Sequence, residues 1–107
     1  MKICIVINTS DPEEAWNAFR FGVKSLEKGH EVNAFLINRG TECEDIESEA
    51  FDVKTQMKGF TEKKGKILAC GTCLTLRKKE GTLLCPVSNM DTLLNLVESS
   101  DKIVSFG

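Results

Sequence analysis

The chain has 107 residues, of which 41% are hydrophobic and 28% are charged, and its formal net charge is -2. This length suits one compact domain over residues 1–107 and is too short for two domains that fold independently. The nearly balanced charge gives no sign of a nucleic-acid or anionic-membrane partner, so we expect a small molecule or another protein as partner.

The first third of the sequence has the pattern of a strand, a helix and a second strand. The continuous β-branched run Ile3–Ile7 predicts a strand covered on both faces, which is typical of a parallel sheet. Ser10–Glu14 supplies a capping side chain, a proline for the first helical turn and two acids, and Gly29 suits the helix end. Val32–Ile37 is predicted to be the second strand, so residues 2–37 form a βαβ unit with a right-handed crossover.

The middle of the chain predicts an exposed segment followed by a packed helix. The stretch Glu42–Asp52 is rich in acids and poor in apolar residues, which indicates a solvated loop or the polar face of a frayed helix. Val53, Met57 and Phe60 then recur at helical spacing up to Gly65. We expect these three side chains to pack in the core.

The rest of the chain continues to alternate strands with helices. Five strands alternating with helices predict a flavodoxin-like three-layer α/β sandwich, with about five mostly parallel strands and helices on both faces. The strands are predicted over Lys66–Ala69, Leu83–Cys85 and Lys102–Phe106, and the helices over Thr72–Lys79 and Met90–Ser99. In the last helix, the side chains expected to face the core are those of Met90, Leu93, Leu94 and Val97.

Targeting signals and disulfides are not indicated. The apolar run that begins the chain is too short for a signal peptide, and no run approaches the roughly 20 residues that span a bilayer. The five cysteines are an odd number, which fits thiols or metal ligands in a reducing compartment better than a disulfide framework. We therefore expect a cytoplasmic protein.

The segment Ile67–Cys73 carries the strongest functional signal, because a short apolar strand leads directly into a Cys-x-x-Cys pair. In open α/β sheets, ligands bind beyond the carboxyl ends of the strands. Cys70 is expected at such a strand tip and Cys73 one helical turn later. A helix that begins there directs unpaired N–H groups at the sulfurs and favours thiolate, so we expect Cys70 to be ionised and open to solvent.

The same cysteine spacing is compatible with other functions. It occurs in thiol redox proteins and as half of a zinc site, and buried free cysteine is also a common core residue. A zinc site needs further ligands, for which Cys85 and Cys43 are candidates at the same edge of the sheet. The single histidine, His30, is expected at the opposite edge from Cys70, which argues against a Cys-His hydrolase.

No cofactor or metal is expected from the remaining motifs. No glycine-rich phosphate-binding motif follows a predicted strand, so no nucleotide site is indicated. The basic run Arg77–Lys79 suits a helix end, where it complements the carbonyl dipole, or a place near Cys70, where it lowers the thiol pKa or attracts an anionic sulfur donor. Cys4, in the first strand, is expected to be an inert buried thiol.

The segment Cys70–Arg77 resembles the DsrE/DsrF-like family of small cytoplasmic proteins linked to intracellular sulfur transfer. The likeness covers nearly the whole chain, including the helix after Asp11-Pro12 and the closing segment Ser88–Phe106. The resemblance implies a flavodoxin-like sandwich that assembles into homo-oligomers, either trimers or hexamers. It also implies an active cysteine, matching Cys70, that accepts sulfane sulfur as a persulfide and passes it on.

These observations lead to the hypothesis of a sulfur carrier, or sulfurtransferase-like protein, that uses Cys70. Cys73 is then a resolving or auxiliary thiol, and Gly71, Thr72 and Arg77 are candidates for substrate binding. The expected partners are sulfur donor and acceptor proteins or small persulfides. The alternatives are a dithiol redox protein that uses Cys70 and Cys73, and a non-catalytic oligomeric or zinc-binding module.

Overall fold

Five parallel strands form one sheet in the computed structural model, which describes residues 1–107. The predicted three-layer α/β sandwich is confirmed. The strands are β1 (Lys2–Ile7), β2 (Glu31–Leu36), β3 (Lys66–Cys70), β4 (Val87–Ser88) and β5 (Lys102–Phe106). The helices are α1 (Pro12–Glu27), α2 (Val53–Glu62), α3 (Gly71–Leu76) and α4 (Met90–Ser99), and a 3₁₀ segment covers Asn38–Asp45.

The order of the strands explains where the helices lie. Across the sheet the order is β4-β3-β2-β1-β5, which differs from the 2-1-3-4-5 order of flavodoxin itself. The chain moves in one direction from β1 to β4, so right-handed crossovers place α1 and α2 on one face, here the first face. The return from β4 to β5 runs the other way and places α4 on the opposite face, here the second face.

The two faces carry hydrophobic clusters of very different size. Alternation along β1 directs Ile3, Ile5 and Ile7 into the large cluster beneath α1 and α2. The second face holds a small cluster around Phe35. Its members are Phe35, Cys70 and Cys73, with Ile37, Leu68, Leu93 and Leu96 packed around them.

Helices α1 and α4 begin where the local sequence signals indicate. The helix predicted over Thr72–Lys79 ends at Leu76 instead, because Lys78 has a φ of +53° that is outside the helical region. The side chain of Asp11 accepts a hydrogen bond from the Glu14 N–H (2.9 Å), and that of Asn89 accepts one from the Thr92 N–H (2.9 Å). Gly29, just beyond the end of α1, has a φ of +91° that glycine adopts without steric cost. None of the helices combines the length and the apolar character needed to cross a membrane.

The fourth strand lies later in the chain than the sequence pattern indicates. The prediction of a strand over Leu83–Cys85 is wrong, since β4 comprises Val87–Ser88. The Cys85 N–H donates to Thr82 Oγ1 (3.0 Å), and the Cys85 carbonyl accepts from the Thr82 N–H (3.0 Å). These two hydrogen bonds close a turn, so the chain reaches β3 only at Pro86, whose carbonyl accepts from the Ala69 N–H (2.9 Å).

Helix α4 has the predicted bounds but a different inward face. Leu93 and Leu96 pack against the cluster of the second face, and Val97 is half-buried. Met90 and Leu94 were expected inward and are 51% and 56% exposed, so that part of the prediction is wrong. Apolar side chains of α4 therefore remain available for contact with another surface.

The acidic segment after Glu42 is more ordered than the sequence indicates. Its 3₁₀ part contains the fully buried Cys43. Two ion pairs join this segment to the end of α3: Arg77 Nε lies 3.0 Å from Glu42 Oε2, and the Lys79 ammonium pairs with Asp45. Basic residues beyond α3 thus hold the acidic segment against the carboxyl edge of the sheet.

Candidate functional site

The Cys-x-x-Cys pair lies at the carboxyl edge of the sheet, on the second face. Cys70 is the last residue of β3 and the N-cap of α3, and Cys73 lies in the first turn of that helix. Both belong to the small cluster with Phe35. The predicted placement of the two thiols is therefore confirmed.

The pair is closed to solvent in this conformation. Cys70 is 3% exposed and Cys73 is 8% exposed. Leu93 and Leu96 of α4 pack against the cluster that contains both sulfurs. The expectation that Cys70 is open to solvent is wrong for this conformation, because Cys70 is buried in the cluster against which Leu93 and Leu96 pack.

The environment of Cys73 contains opposing influences on its protonation. Burial is the largest effect and raises the pKa of Cys73, and the neighbouring Cys70 thiol also raises it. The Asn38 N–H, which donates to Cys73 Sγ at 3.2 Å, and the charge of Arg77 lower it. The net direction is upward, so Cys73 is held as a thiol more strongly than an exposed cysteine.

The other predicted binding residues surround the pair in different ways. A Cβ atom on Gly71 would lie 3.1 Å from the Ser88 carbonyl oxygen, so the glycine allows close packing of α3 against β4. Thr72 is exposed at the start of α3. Arg77 donates to the Cys73 carbonyl (3.2 Å) and pairs with Glu42. A substrate-binding role for these residues stays a prediction.

The remaining cysteines do not join the pair. Cys43 and Cys85 are buried in the cluster of the first face, whereas Cys70 belongs to the second. No three His, Cys, Asp or Glu side chains are grouped as metal ligands. The zinc alternative therefore loses the ligand set proposed for it, because Cys85 precedes β4 instead of ending it. Cys4 is fully buried in β1, as expected.

The single histidine lies at the opposite edge of the sheet. His30 immediately precedes β2, and its Nδ1 lies 2.9 Å from the amino-terminal nitrogen of Met1. Cys70 ends β3 at the carboxyl edge of the same parallel sheet. The predicted separation of His30 from Cys70 is confirmed, and no Cys-His pair forms.

One residue at the site was not singled out from the sequence. Asn38 directly follows the predicted second strand Val32–Ile37, and its backbone N–H donates to the sulfur of Cys73. The sequence feature that could have indicated Asn38 is its position directly after a strand that ends at the same sheet edge as Cys70. Asparagine also tolerates the left-handed backbone conformation that Asn38 adopts, with a φ of +54°.

Comparison with known proteins gives consistent matches over the whole chain. The model of the DsrE/DsrF-like family matches residues 1–106. The uncharacterized protein MJ0989 of Methanocaldococcus jannaschii is 31% identical over 114 residues, which cover 99% of this chain and 100% of that protein. The crystal structure of the ychN protein from E. coli superposes with a TM-score of 0.89 at 19% identity and covers 99% of both chains, which supports the fold.

Proposed function

The chain belongs to the DsrE/DsrF-like family, and from this membership we propose that it is a cytoplasmic sulfur carrier that forms a persulfide on Cys70. The family is associated with sulfur relay in general. The observation that carries the proposal is the pair of adjacent thiols at the carboxyl edge of β3, the edge where ligands bind in open α/β sheets. All five cysteines are free thiols, which is the state that this chemistry requires.

The proposed reaction is a transfer of sulfane sulfur between thiols. The Cys70 thiolate attacks the outer sulfur of a donor persulfide, the donor S–S bond breaks, and the donor leaves as a thiolate. An acceptor thiolate then attacks the outer sulfur on Cys70, and the Cys70 thiolate is regenerated. The apolar side chains of Phe35, Leu93 and Leu96 around the pair exclude water from the persulfide between these two steps.

Access to Cys70 requires movement of α4. This helix contains no buried residue, and its inward side chains Leu93 and Leu96 are only half-buried. Segments with little buried apolar surface open at low free energy. Displacement of α4 by a donor or acceptor protein, or by thermal opening, exposes the strand tip that carries Cys70.

The proposal includes assembly of the chain into a homo-oligomer, a trimer or hexamer. Met90 and Leu94 on α4 are 51% and 56% exposed, and Ile103 on β5 is 49% exposed. Val104 and Phe106 pack with the core of the first face, so Ile103 faces the second. Exposed apolar side chains on the thinly covered face support its burial by another copy of the chain.

A dithiol redox function is the second candidate, and the placement of Cys70 and Cys73 in the same small cluster favours it. In that reaction Cys73 resolves a mixed disulfide or persulfide on Cys70 and leaves a Cys70–Cys73 disulfide. The two functions share the same first step at Cys70. They differ in whether the outer sulfur reaches an acceptor or is released.

The test is intact-mass measurement after exposure of the reduced protein to a small persulfide donor. The wild-type chain is expected to gain the mass of one sulfur atom, and Cys70→Ser is expected to gain none. Cys85→Ser is the matched control and is expected to behave as wild type, because Cys85 lies in the other cluster. Equal sulfur uptake by Cys70→Ser would reject the proposal, and loss of the added sulfur with a Cys70–Cys73 disulfide would favour the redox function.

A further inference from the structure

The loop after β2 places two atoms of Asn38 beside the sulfur of Cys73. The Asn38 backbone N–H donates to Cys73 Sγ at a distance of 3.2 Å. Asn38 Oδ1 lies 3.9 Å from the same sulfur and accepts from its S–H when the thiol is protonated. The N–H bond favours the thiolate, since a hydrogen bond to a charged form stabilises that form.

The conformation of Asn38 is fixed by its own neighbours. Its φ of +54° lies in the left-handed region, which asparagine adopts more readily than other residues with a Cβ. Asn38 Nδ2 donates to Asn8 Oδ1 (2.5 Å), and the Asn38 carbonyl accepts from Thr41 Oγ1 (2.8 Å). These bonds tie the loop after β2 to the loop after β1 and orient the Asn38 N–H toward Cys73.

The same loop is anchored to the end of β1 by close backbone packing. The Ile37 N–H donates to the Ile7 carbonyl (3.0 Å). A Cβ atom on Gly40 would lie only 1.9 Å from that carbonyl oxygen, so only glycine permits this approach. The donor is therefore part of a fixed loop.

The charged and titratable groups near Cys73 are few. Arg77 donates to the Cys73 carbonyl and lowers the thiol pKa, and Glu42 offsets part of that charge through its ion pair with Arg77. Cys70 is the titratable neighbour on β3. The other side chains in and around the cluster that contains Cys73 are apolar, namely Phe35, Ile37, Leu68, Leu93 and Leu96.

We propose that Asn38 is a positioning residue that holds the Cys73 sulfur in place and stabilises its thiolate. The use of that thiolate rests on the proposed function. Once Cys70 carries a persulfide, the Cys73 thiolate attacks Cys70 Sγ and forms the Cys70–Cys73 disulfide. The bond between the two Cys70 sulfurs breaks, its electron pair leaves with the outer sulfur, and hydrosulfide is released with the persulfide proton. This step needs no further oxidant.

The test is the pH dependence of Cys73 alkylation by iodoacetamide, which is detected by peptide mass. The experiment uses a Cys70→Ser background and no persulfide donor. Asn38→Ala disfavours the left-handed backbone and removes the side-chain tie to Asn8. It also removes Oδ1, whose long contact of 3.9 Å favours the thiol, but the backbone N–H bond at 3.2 Å is the stronger of the two contacts. We expect its alkylation midpoint to rise by about one pH unit, which is about a tenfold loss of thiolate at a given pH. Asn38→Gly keeps the N–H and allows the same φ, so a smaller rise is expected. The exposed Asn95→Ala is the control and is expected to cause no shift.

A second variant keeps the proposal testable if Asn38→Ala does not fold. Asn8 is exposed, and Asn8→Ala removes the acceptor of Asn38 Nδ2, so its midpoint is expected to rise in the same direction. A midpoint equal to that of the parent in each of these variants that folds would overturn the proposal. If the alkylation midpoint shifts in these variants but Cys70 of the wild-type chain takes up no sulfur, the sulfur-carrier function alone is rejected.

Discussion

Cysteines in this chain differ in what surrounds each sulfur, and the buried thiol of Cys43 shows the contrast with the candidate pair. Its S–H donates to the Thr9 carbonyl (3.3 Å) in a fully buried position. Burial raises the pKa of Cys43 to about 12, with a smaller opposing effect of Lys79 and a reinforcing one of Glu42. A thiol in this state is a poor nucleophile, so Cys43 is expected to stay inert while Cys70 reacts.

The raised pKa of Cys43 predicts a pH dependence of stability. Above about pH 9 the unfolded chain releases this proton, while the folded protein retains it up to about pH 12. The stabilisation is thus complete below about pH 9 and is lost as the pH rises toward 12. In that window the unfolding free energy of wild type should fall more steeply than that of Cys43→Ala, by about 1.4 kcal/mol per pH unit.

Urea unfolding of the reduced proteins at several pH values from about 8 to 11 measures this difference. Groups that Cys43 does not influence ionise alike in both proteins, so the difference in slope comes from Cys43 and its neighbour Cys85. Parallel slopes for the two proteins would contradict the assignment of a buried, protonated Cys43.

At the scale of elements, α4 packs against the candidate site, and we propose that this helix controls access to Cys70. This helix lies on the second face and begins after the Asn89 cap. Its side chains Leu93 and Leu96 pack against the cluster that contains Cys70. Its opposite side presents Leu94 to solvent. The same helix therefore offers a covering side chain and an exposed one of identical type.

Removal of a covering side chain is expected to open the site. Leu93→Ala removes apolar contact between α4 and the cluster, so alkylation of Cys70 at constant pH should be about tenfold faster than in wild type. Asn95→Ala, at an exposed position of the same helix, is the control and should leave the rate unchanged. Peptide-resolved labelling with iodoacetamide gives both rates. Equal rates for the two variants would show that α4 does not control access.

Local sequence signals predicted most elements, and interactions distant in sequence account for the rest. Helical periodicity and the Asp11 cap placed α1, because those interactions are local. The turn closed by Thr82 competes with a strand at Leu83–Cys85, and β3 accepts only the residues after it. At the site, the predicted end of β3 correctly indicated the positions of Cys70 and Cys73. The Asn38 contact joins residues 35 positions apart, so no spacing in the sequence could indicate it.

For the whole molecule, the strand order leaves the two faces of the sheet unequally covered. Successive crossovers in one direction place α1 and α2 on the first face, and the single return crossover gives the second face only α4. The exposed side chains of Leu94 and Ile103 follow from this imbalance. A homo-oligomer that buries the second face would cover the apolar side chains that α4 leaves exposed there.

A charge on this face is expected to prevent assembly. Leu94→Glu would place a carboxylate in the proposed contact, where desolvation without a partner is unfavourable. Its mass by light scattering should fall from that of a trimer or hexamer to that of a monomer. Leu83→Glu is the matched control, since Leu83 is 102% exposed in the loop before β4, and it should keep the wild-type mass. Retention of the oligomer by Leu94→Glu would reject this interface.

Persulfide formation on Cys70 is tested most directly by locating the added sulfur within the peptide that contains Cys70 and Cys73. After exposure of wild-type protein to a persulfide donor and rapid blocking of free thiols, fragment masses assign the extra sulfur to one residue. We expect a persulfide on Cys70, with Cys73 carrying only the blocking group. Sulfur found on Cys43 or Cys85, with an unmodified Cys70, would contradict this expectation.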